Sequence, residues 1–509
     1  MSGFLPCSGG YPVESPSQSR SSWMYLPPEL RLMIMEKVAH QKFPGWESCA
    51  TINREWQDVI EKENYKKLNL DVSDLDELNV MVPHHKRHLV KHIFFEIGLP
   101  RDQSACCARW NPPPSNISKI VKEAIMKLFT ALSTWDQSSS LTLELNVCSL
   151  SDSEHWFKPL YFSNDRTEGD DGRKISDLNH GWVNGQQSRP APEEAVRRMF
   201  RPIKLDKSFE REPLPKVICV TKFVIRRQLR RCISPAGISA MLEALPFLEH
   251  MGYEPWALHE TASQDRRRDH VAALRHAMLQ KLSKAVTSLV VFQDSRKFYK
   301  VLQQRQPDGG PKPPTINSVA IGDALGDIFA RKSLGLKHLA VSFMVDAKDV
   351  LRHCKPAYTW PQLKTVALTS QLLREDANLN PDSQGRIEDL LCRAAALAKR
   401  MPELDTFVLW NGAKGDACAF IYRVKGSKAS ITWRGTWSLE MSPKVVEAWN
   451  SVVLTRSWRE IEIYHERIGS GVNCVGDAIH HLKLPCRVVE PASLWQMRRE
   501  GNLVPYGTK

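Results

Sequence analysis

Leu336-Lys337-His338-Leu339-Ala340-Val341 is one copy of a six-residue pattern that recurs along this chain. In each copy an apolar residue is followed by any two residues, an apolar residue, any residue and a final apolar residue. The end of each copy therefore alternates in polarity, as a strand with one buried face does. We predict a strand at each of the seven copies, which begin at Val220, Leu248, Val286, Leu336, Leu363, Leu404 and Trp458.

Two weaker relatives of the pattern precede these copies, and helix-like segments lie between them. The weaker runs are Val90/Ile93/Phe95 and Leu141/Leu143/Leu145. Apolar residues at helical spacing, with Ser442 as an N-cap of the last segment, predict four helices. These helices are expected over Gly237–Leu245, Asp265–Ala285, Arg386–Arg400 and Pro443–Leu454.

The alternation of strand and helix indicates the α/β class. A strand-helix unit that cannot bury its own face favours stacking into a solenoid. We therefore expect residues 86–485 to form an irregular leucine-rich-repeat-like array. The starts of the copies are 28, 38, 50, 27, 41 and 54 residues apart, a wider scatter than the roughly 20–29 of a regular repeat. The alternative is a plain α/β domain with a parallel sheet.

Composition predicts two inserts and two tails. Residues 151–192 are rich in Ser, Asp, Asn and Gly, and residues 303–314 contain clustered Pro and Gly. Both are predicted as flexible surface inserts. Residues 1–22 are predicted as a disordered tail, and 486–509 as a C-terminal tail.

Residues 23–70 are predicted as a small module of three helical segments. Pro27-Pro28-Glu29 suits the first turn of a helix, where a missing N–H and a negative charge are both favourable. Two apolar series at helical spacing follow, separated by the chain-breaking pair Pro44-Gly45. The series are Leu30, Ile34 and Val38, and then Cys49, Ile52, Trp56, Val59 and Ile60; Tyr65 and Leu68 close a third cluster.

This module resembles the F-box. The likeness rests on Leu26-Pro27-Pro28-Glu29-Leu30, on Ile34 four residues later, and on the helix around Trp56. Two features depart from the family: Asn53 stands where a Cys is usual, and Phe43–Trp46 replaces the usual acidic-leucine turn. The whole chain is similar to filamentous-fungal F-box proteins with an uncharacterised C-terminal region.

The resemblance implies docking onto the Skp-family adaptor and, through it, onto the cullin scaffold of a ubiquitin ligase. The family positions matched here, some expected in the core and some at the contact, are Leu26, Pro27, Leu30, Ile34 and Trp56.

Charge, cysteine content and the length of apolar runs indicate which partners and which cell compartment to expect. The net charge of +13 would suit acidic partners. The densest basic runs, Arg226-Arg227 to Arg230-Arg231 and Arg266–Arg268, accompany no nucleic-acid module, so we predict a solvated basic surface and no nucleic-acid partner. Twelve scattered cysteines indicate a reducing compartment, either cytoplasm or nucleus. No apolar run reaches the roughly 18 residues of a membrane span, so no membrane partner is expected.

Chemical motifs are not evident in the sequence. The closest approach to a metal site is Cys474, His480, His481 and Cys486, whose spacing matches no standard zinc module. His84, His85, His88 and His92 crowd one segment without a cysteine or carboxylate pair at ligand spacing. We therefore predict no catalytic residues, no metal and no cofactor.

A binding surface is predicted on the sheet instead. The first residue after a strand pattern should point away from the buried face, toward the concave side of a solenoid. Aromatic and Arg side chains dominate the energetics of interfaces. Four such residues are therefore candidate client-binding positions: Arg226, Phe292, Trp410 and Tyr464.

The sequence thus predicts a non-catalytic, substrate-recognition subunit of a Skp–cullin–F-box ubiquitin ligase. Its repeat-like body would present a client protein. The alternative is an interaction scaffold outside any ligase, with an acidic or nucleic-acid partner.

Overall fold

One sheet of twelve strands forms the centre of the larger part of the protein, and its strand order follows the chain. The computed structural model describes residues 22–101, 116–137, 140–158, 160–161, 176–189, 191–257, 264–294, 318–375, 381–426, 428–455, 461–469 and 471–501. The chain divides into two compact units, Met1–Lys67 and Leu68–Lys509.

The strands of the main sheet are mostly parallel. From β2 to β11 each strand runs parallel to its neighbours, β11–β12–β13 is antiparallel, and β14 runs parallel to β13. A separate hairpin pairs β4 (Trp182–Val183) with β5 (Gln186–Gln187). The main sheet comprises, in order, β1 Lys67–Leu70, β2 His92–Leu99, β3 Leu141–Ser149, β6 Val220–Ile225, β7 His250–Tyr253, β8 Ser288–Phe292, β9 His338–Ser342, β10 Thr365–Thr369, β11 Thr406–Ala413, β12 Asp416–Lys425, β13 Lys428–Gly435 and β14 Ile461–Arg467.

Helices connect and cover these strands. The α-helices of the described residues are α1 Pro28–Gln41, α2 Arg54–Lys66, α3 Leu78–Met81, α4 Ile117–Leu132, α5 Glu193–Met199, α6 Pro235–Glu243, α7 Gln264–His276, α8 Ser318–Lys332, α9 Ala347–His353, α10 Pro381–Ala398, α11 Pro443–Leu454, α12 Val475–Leu482 and α13 Pro491–Gly501. A π-helical turn, Ala277–Lys281, follows α7, and 3-10 turns lie at Ser22–Tyr25, Trp46–Thr51, Asp74–Asp76, His84–Leu89, Leu150–Ser153, His155–Phe157, Leu178–His180 and Ser333–Gly335.

The α/β class and the strand positions are confirmed. All seven copies of the pattern and both weaker runs contain a strand, although Trp458 itself lies outside the described residues. The pattern missed β12 and β13, which form a hairpin between the sixth and seventh copies. Their insertion explains the 54-residue interval there. The four predicted helices are present as α6, α7, α10 and α11. Ser442 is the N-cap of α11, but its side chain makes no capping hydrogen bond.

One predicted irregular region, the C-terminal tail, is corrected. Residues 486–501 are not a tail, because α13 buries Ser493, Gln496, Met497 and Glu500. The described residues of the predicted insert 151–192 include 3-10 turns and the β4–β5 hairpin, and Asp152 is buried. The predicted insert 303–314 lies outside the described residues.

The two faces of the sheet are covered by different elements. On one face, the ring of Trp449 in α11 packs against Phe407, Phe420 and Tyr422. On the other, small and apolar residues of β9 to β12 pack against the chain from Val472 to Met497. We call residues 472–501 the C-terminal segment.

Candidate docking surface and the covered sheet face

The first helix of the N-terminal unit has apolar residues on two opposite sides. Met35 and Ala39 are buried in a small core with Trp46, Trp56 and Ile60. Leu30, Met33 and Ile34, at positions i, i+3 and i+4, share the other side. Their exposed fractions are 45%, 64% and 41%. We call these three residues the α1 face.

The predicted stripe on α1 therefore does not form the core. Leu30 and Ile34 point to solvent, and only Val38 of the predicted series is partly buried. The core positions of α1 are Met35 and Ala39, each one residue after a predicted core position, Ile34 or Val38. The buried side of the helix is therefore rotated by one residue relative to the predicted stripe. Contiguous exposed apolar side chains make the α1 face a candidate interaction site.

The remaining F-box positions divide between surface and core. Pro27 is exposed and precedes the first turn of α1, and Leu26 is half-buried. Trp56 is buried and stacks on Trp23 with ring centroids 5.8 Å apart, so it is a core residue and not a contact. Asn53, at the position that departs from the family, caps α2, since its Oδ1 accepts a hydrogen bond from the Trp56 N–H at 3.0 Å. The predicted third helical cluster is absent, because Tyr65 belongs to α2 and Leu68 to β1.

Three of the four candidate client-binding residues are not accessible. Arg226, Phe292 and Trp410 have exposed fractions of 2%, 1% and 0%, whereas Tyr464 is 46% exposed. The pattern placed Phe292 and Trp410 on the correct face of the sheet. That face is covered at those positions by the C-terminal segment, which packs in one cluster with both residues. The expectation of an open surface there is wrong.

The basic run after β6 is also buried, contrary to the predicted solvated surface. Each of its arginines has a carboxylate partner. Arg227 Nη2 lies 2.8 Å from Glu500 Oε2, and Arg227 Nε lies 2.5 Å from Asp294 Oδ2. The other three pairs are Arg226 with Glu144, Arg230 with Glu500 and Arg231 with Asp152. The sequence signal was a dense basic run directly after a strand, but the acidic partners lie between 67 residues away (Arg227 to Asp294) and 273 residues away (Arg227 to Glu500).

The two pairs made by Glu500 fasten the C-terminal segment to the end of β6. Glu500 belongs to α13, and both of its arginine partners follow β6. Burial alone would raise the pKa of Glu500, but Arg227 and Arg230 outweigh it and hold that pKa below its usual value. A second polar link joins Gln496 Nε2 to Gln228 Oε1 at 3.1 Å.

Glu254, at the end of β7, is the other anchor of this segment. Its carboxylate accepts hydrogen bonds from the N–H of Glu490 at 2.7 Å, the Ser493 hydroxyl at 2.5 Å and the N–H of Arg227 at 3.0 Å. Complete burial nevertheless raises the pKa of Glu254 to about 7.

The raised pKa of Glu254 makes the stability of this unit depend on pH. Between pH 4.5 and pH 7 the folded state retains a proton that the unfolded state has lost, so the free energy of unfolding should fall as pH rises. The loss should be up to about 3 kcal/mol. Urea unfolding at several pH values, compared between the parent chain and Glu254→Gln, measures it. The difference between the two chains should grow in favour of the variant as pH rises, and a constant difference would contradict this assignment.

Other candidates from the sequence show no convergent chemistry. Cys474 is the N-cap of α12, where its Sγ accepts from the Asp477 N–H. His480 and His481 pack edge-on, with ring centroids 5.3 Å apart. Among the described residues, no three His, Cys, Asp or Glu side chains are placed to hold a metal ion. No helix in that part of the chain has the length and apolar character to cross a membrane.

Fold and surfaces together define an α/β protein with an open, mostly parallel sheet and an apolar α1 face. A family model, described as a family of unknown function (DUF6546), matches residues 281–490. The match begins at the end of the π-helical turn before β8 and ends at Glu490, whose N–H donates a hydrogen bond to Glu254. A search of curated proteins found no match to the chain.

Proposed function

We propose that the protein is a substrate-recognition subunit of a Skp–cullin–F-box ubiquitin ligase in the cytoplasm or nucleus. The α1 face docks on the Skp-family adaptor, and the body binds a client. Ubiquitin transfer is then promoted by proximity, with the acyl-transfer chemistry in other subunits.

The observation that carries this proposal is the exposure of Leu30, Met33 and Ile34 on the side of α1 opposite the unit's own core. A helix that exposes this much apolar surface on a unit of this size is a typical groove-binding element. Phe43 and Ile52, also about 60% exposed, add apolar surface to the same unit.

We further propose that the body is an irregular leucine-rich-repeat-like solenoid. Support comes from the sheet order, since every strand of the main sheet lies beside the next main-sheet strand along the chain. The antiparallel hairpin of β12 and β13 is the departure from such an array.

Leu30→Asp/Ile34→Asp in the full chain should abolish capture by a Skp-family adaptor. Both side chains are exposed, so the unit should stay folded while two charges enter the apolar contact. The measurement is co-purification of adaptor with tagged full chain. Lys62→Asp, an equally exposed change on α2, is the matched control and should retain the adaptor. Equal capture by the double variant and the parent chain would refute docking through the α1 face.

A further inference from the structure

A row of polar side chains crosses five adjacent strands near their N-terminal ends. The register places Lys222 beside His250, His250 beside Ser288, Ser288 beside His338, and His338 beside Thr365. Residues in register on neighbouring strands project from the same face of a sheet. His250 and His338 are exposed and the other three are half-buried. We call these five residues the histidine row.

The histidine row lies in a part of this sheet face that the C-terminal segment leaves open. Two residues further along the strands, Ala340 and Ala367 are buried beneath that segment. At the same level of β7, a Cβ added to Gly252 would lie 3.1 Å from Glu490 Oε1. The chain near Glu490 therefore borders the histidine row on one side, and the row is the base of a shallow groove beside the C-terminal segment.

Charged groups of both signs surround His250, whose Nε2 lies 3.9 Å from Glu249 Oε2. Partial burial lowers the pKa of this imidazole, and Lys222 and Arg487 lower it further against the opposing charge of Glu249. Lys222 and Arg487 share one carboxylate partner, because Glu490 lies 3.0 Å from Lys222 Nζ and 3.5 Å from Arg487 Nη1.

His338 has a similar environment. Partial burial again lowers its pKa, and His250, Lys364 and Lys337 add to the effect, while Asp405 opposes it. Both imidazoles thus lie where a proton is disfavoured until an anion arrives. A bound carboxylate would reverse that balance and favour the charged rings.

We propose that the histidine row binds an extended, acidic peptide segment of a partner protein. Strands in a sheet are about 4.8 Å apart, so His250 and His338, two strands apart, are separated by about 10 Å. In the polyproline II conformation, which has three residues per turn and a rise of about 3.1 Å per residue, residues i and i+3 point to the same side and are also about 9–10 Å apart. A peptide lying across the strands therefore places one Asp or Glu over each imidazole, with Ser288 between them as a hydrogen-bonding group.

A nucleic acid fits the histidine row less well. Single-stranded nucleic acid is held largely through bases that stack on aromatic side chains, and the row contains no Trp, Tyr or Phe on which a base could stack.

This inference names the chemistry of the client that the proposed function requires, yet it does not depend on adaptor docking. It is therefore tested on the purified full chain without any adaptor. Failure of peptide binding and failure of adaptor capture are separate results.

A fluorescein-labelled twelve-residue peptide of repeated Asp-Ala-Ala is the probe, and fluorescence anisotropy gives its Kd at pH 5.5 and pH 7.5. Two exposed ion pairs formed by the protonated imidazoles should make binding about fivefold tighter at the lower pH. The variant His250→Gln/His338→Gln should bind weakly at both pH values, with no pH dependence. His465→Gln, which removes another exposed imidazole on β14, is the matched control and should behave as the parent chain.

Three outcomes would overturn the proposal. They are an unchanged pH dependence in the double histidine variant, a loss of that dependence in His465→Gln, or tighter binding of a twelve-nucleotide single-stranded DNA than of the peptide. Thermal unfolding of each variant shows whether its fold is intact. Should the double variant be unfolded, Ser288→Asp provides the second test, because a negative charge between the two imidazoles should abolish peptide binding.

Discussion

Replacing Glu500 by alanine should lower the free energy of unfolding of the unit Leu68–Lys509 by about 3–5 kcal/mol. This carboxylate is buried and is paired with both Arg227 and Arg230. Its removal takes this carboxylate from the buried guanidinium of Arg230 and leaves Arg227 with Asp294 as its carboxylate partner. The cost of an uncompensated buried charge greatly exceeds what the intact pair contributes. Guanidinium-induced unfolding of parent and variant measures the difference.

Asp389→Ala is the matched control for the Glu500 variant. Asp389 also accepts from a cation, Lys444, at 3.1 Å, but both side chains are largely exposed. Water and salt screen such a pair, so its removal should leave the unfolding midpoint unchanged within error. A Glu500 variant as stable as the Asp389 variant would show that the C-terminal segment is not fastened through its carboxylate.

Truncating Trp410 to alanine should lower the free energy of unfolding by about 3–5 kcal/mol. The indole is fully buried, and its ring lies edge-on to Phe343 with centroids 5.2 Å apart. It packs in one cluster with Ala478, Ile479 and other residues of the C-terminal segment. Alanine would leave a cavity that the surrounding backbone can fill only in part.

Tyr464→Ala tests the same prediction from the other side. Tyr464 lies on the same sheet face as Trp410, on the last strand, but it is exposed. Its truncation should not change the unfolding free energy measurably. Similar losses in the two variants would contradict the conclusion that the C-terminal segment covers the face at Trp410 and leaves it open at Tyr464.

Local patterning predicted strands β6 to β11 well because each of them buries at least one side. The residues Leu339 and Val341 of β9, or Leu289 and Val291 of β8, carry that information within six positions. The pattern missed β13 because Lys428 stands where its first apolar residue is required, although β13 alternates over the rest of its length. It missed β12 because that strand is apolar on both faces over Ala417–Tyr422. A continuous apolar run has no alternation to recognise.

The residues that cover the sheet could not be predicted from local sequence patterns. Trp410 and Phe292 were placed on the correct face, but their covering residues come from beyond Val472. The arginines after β6 likewise find partners as far away as Glu500. Such pairings join residues that no spacing rule connects, so a buried ion network looks in sequence like a solvated basic run.

The N-terminal unit shows a related ambiguity. Leu30 and Ile34 recur four residues apart, as core residues of a helix do, but Met35 and Ala39 are buried instead. A helix that is apolar on two sides gives the same letters whichever side packs inward. Only the packing of Trp46 and Trp56 decides which side remains exposed for a partner.

Hydrogen exchange of the full chain with and without a Skp-family adaptor tests the central proposal most directly. We predict that peptides covering α1, Pro28–Gln41, become protected on addition of the adaptor. We also predict that protection disappears in Leu30→Asp/Ile34→Asp and persists in Lys62→Asp. Unchanged exchange across Pro28–Gln41 at saturating adaptor would contradict docking through the α1 face.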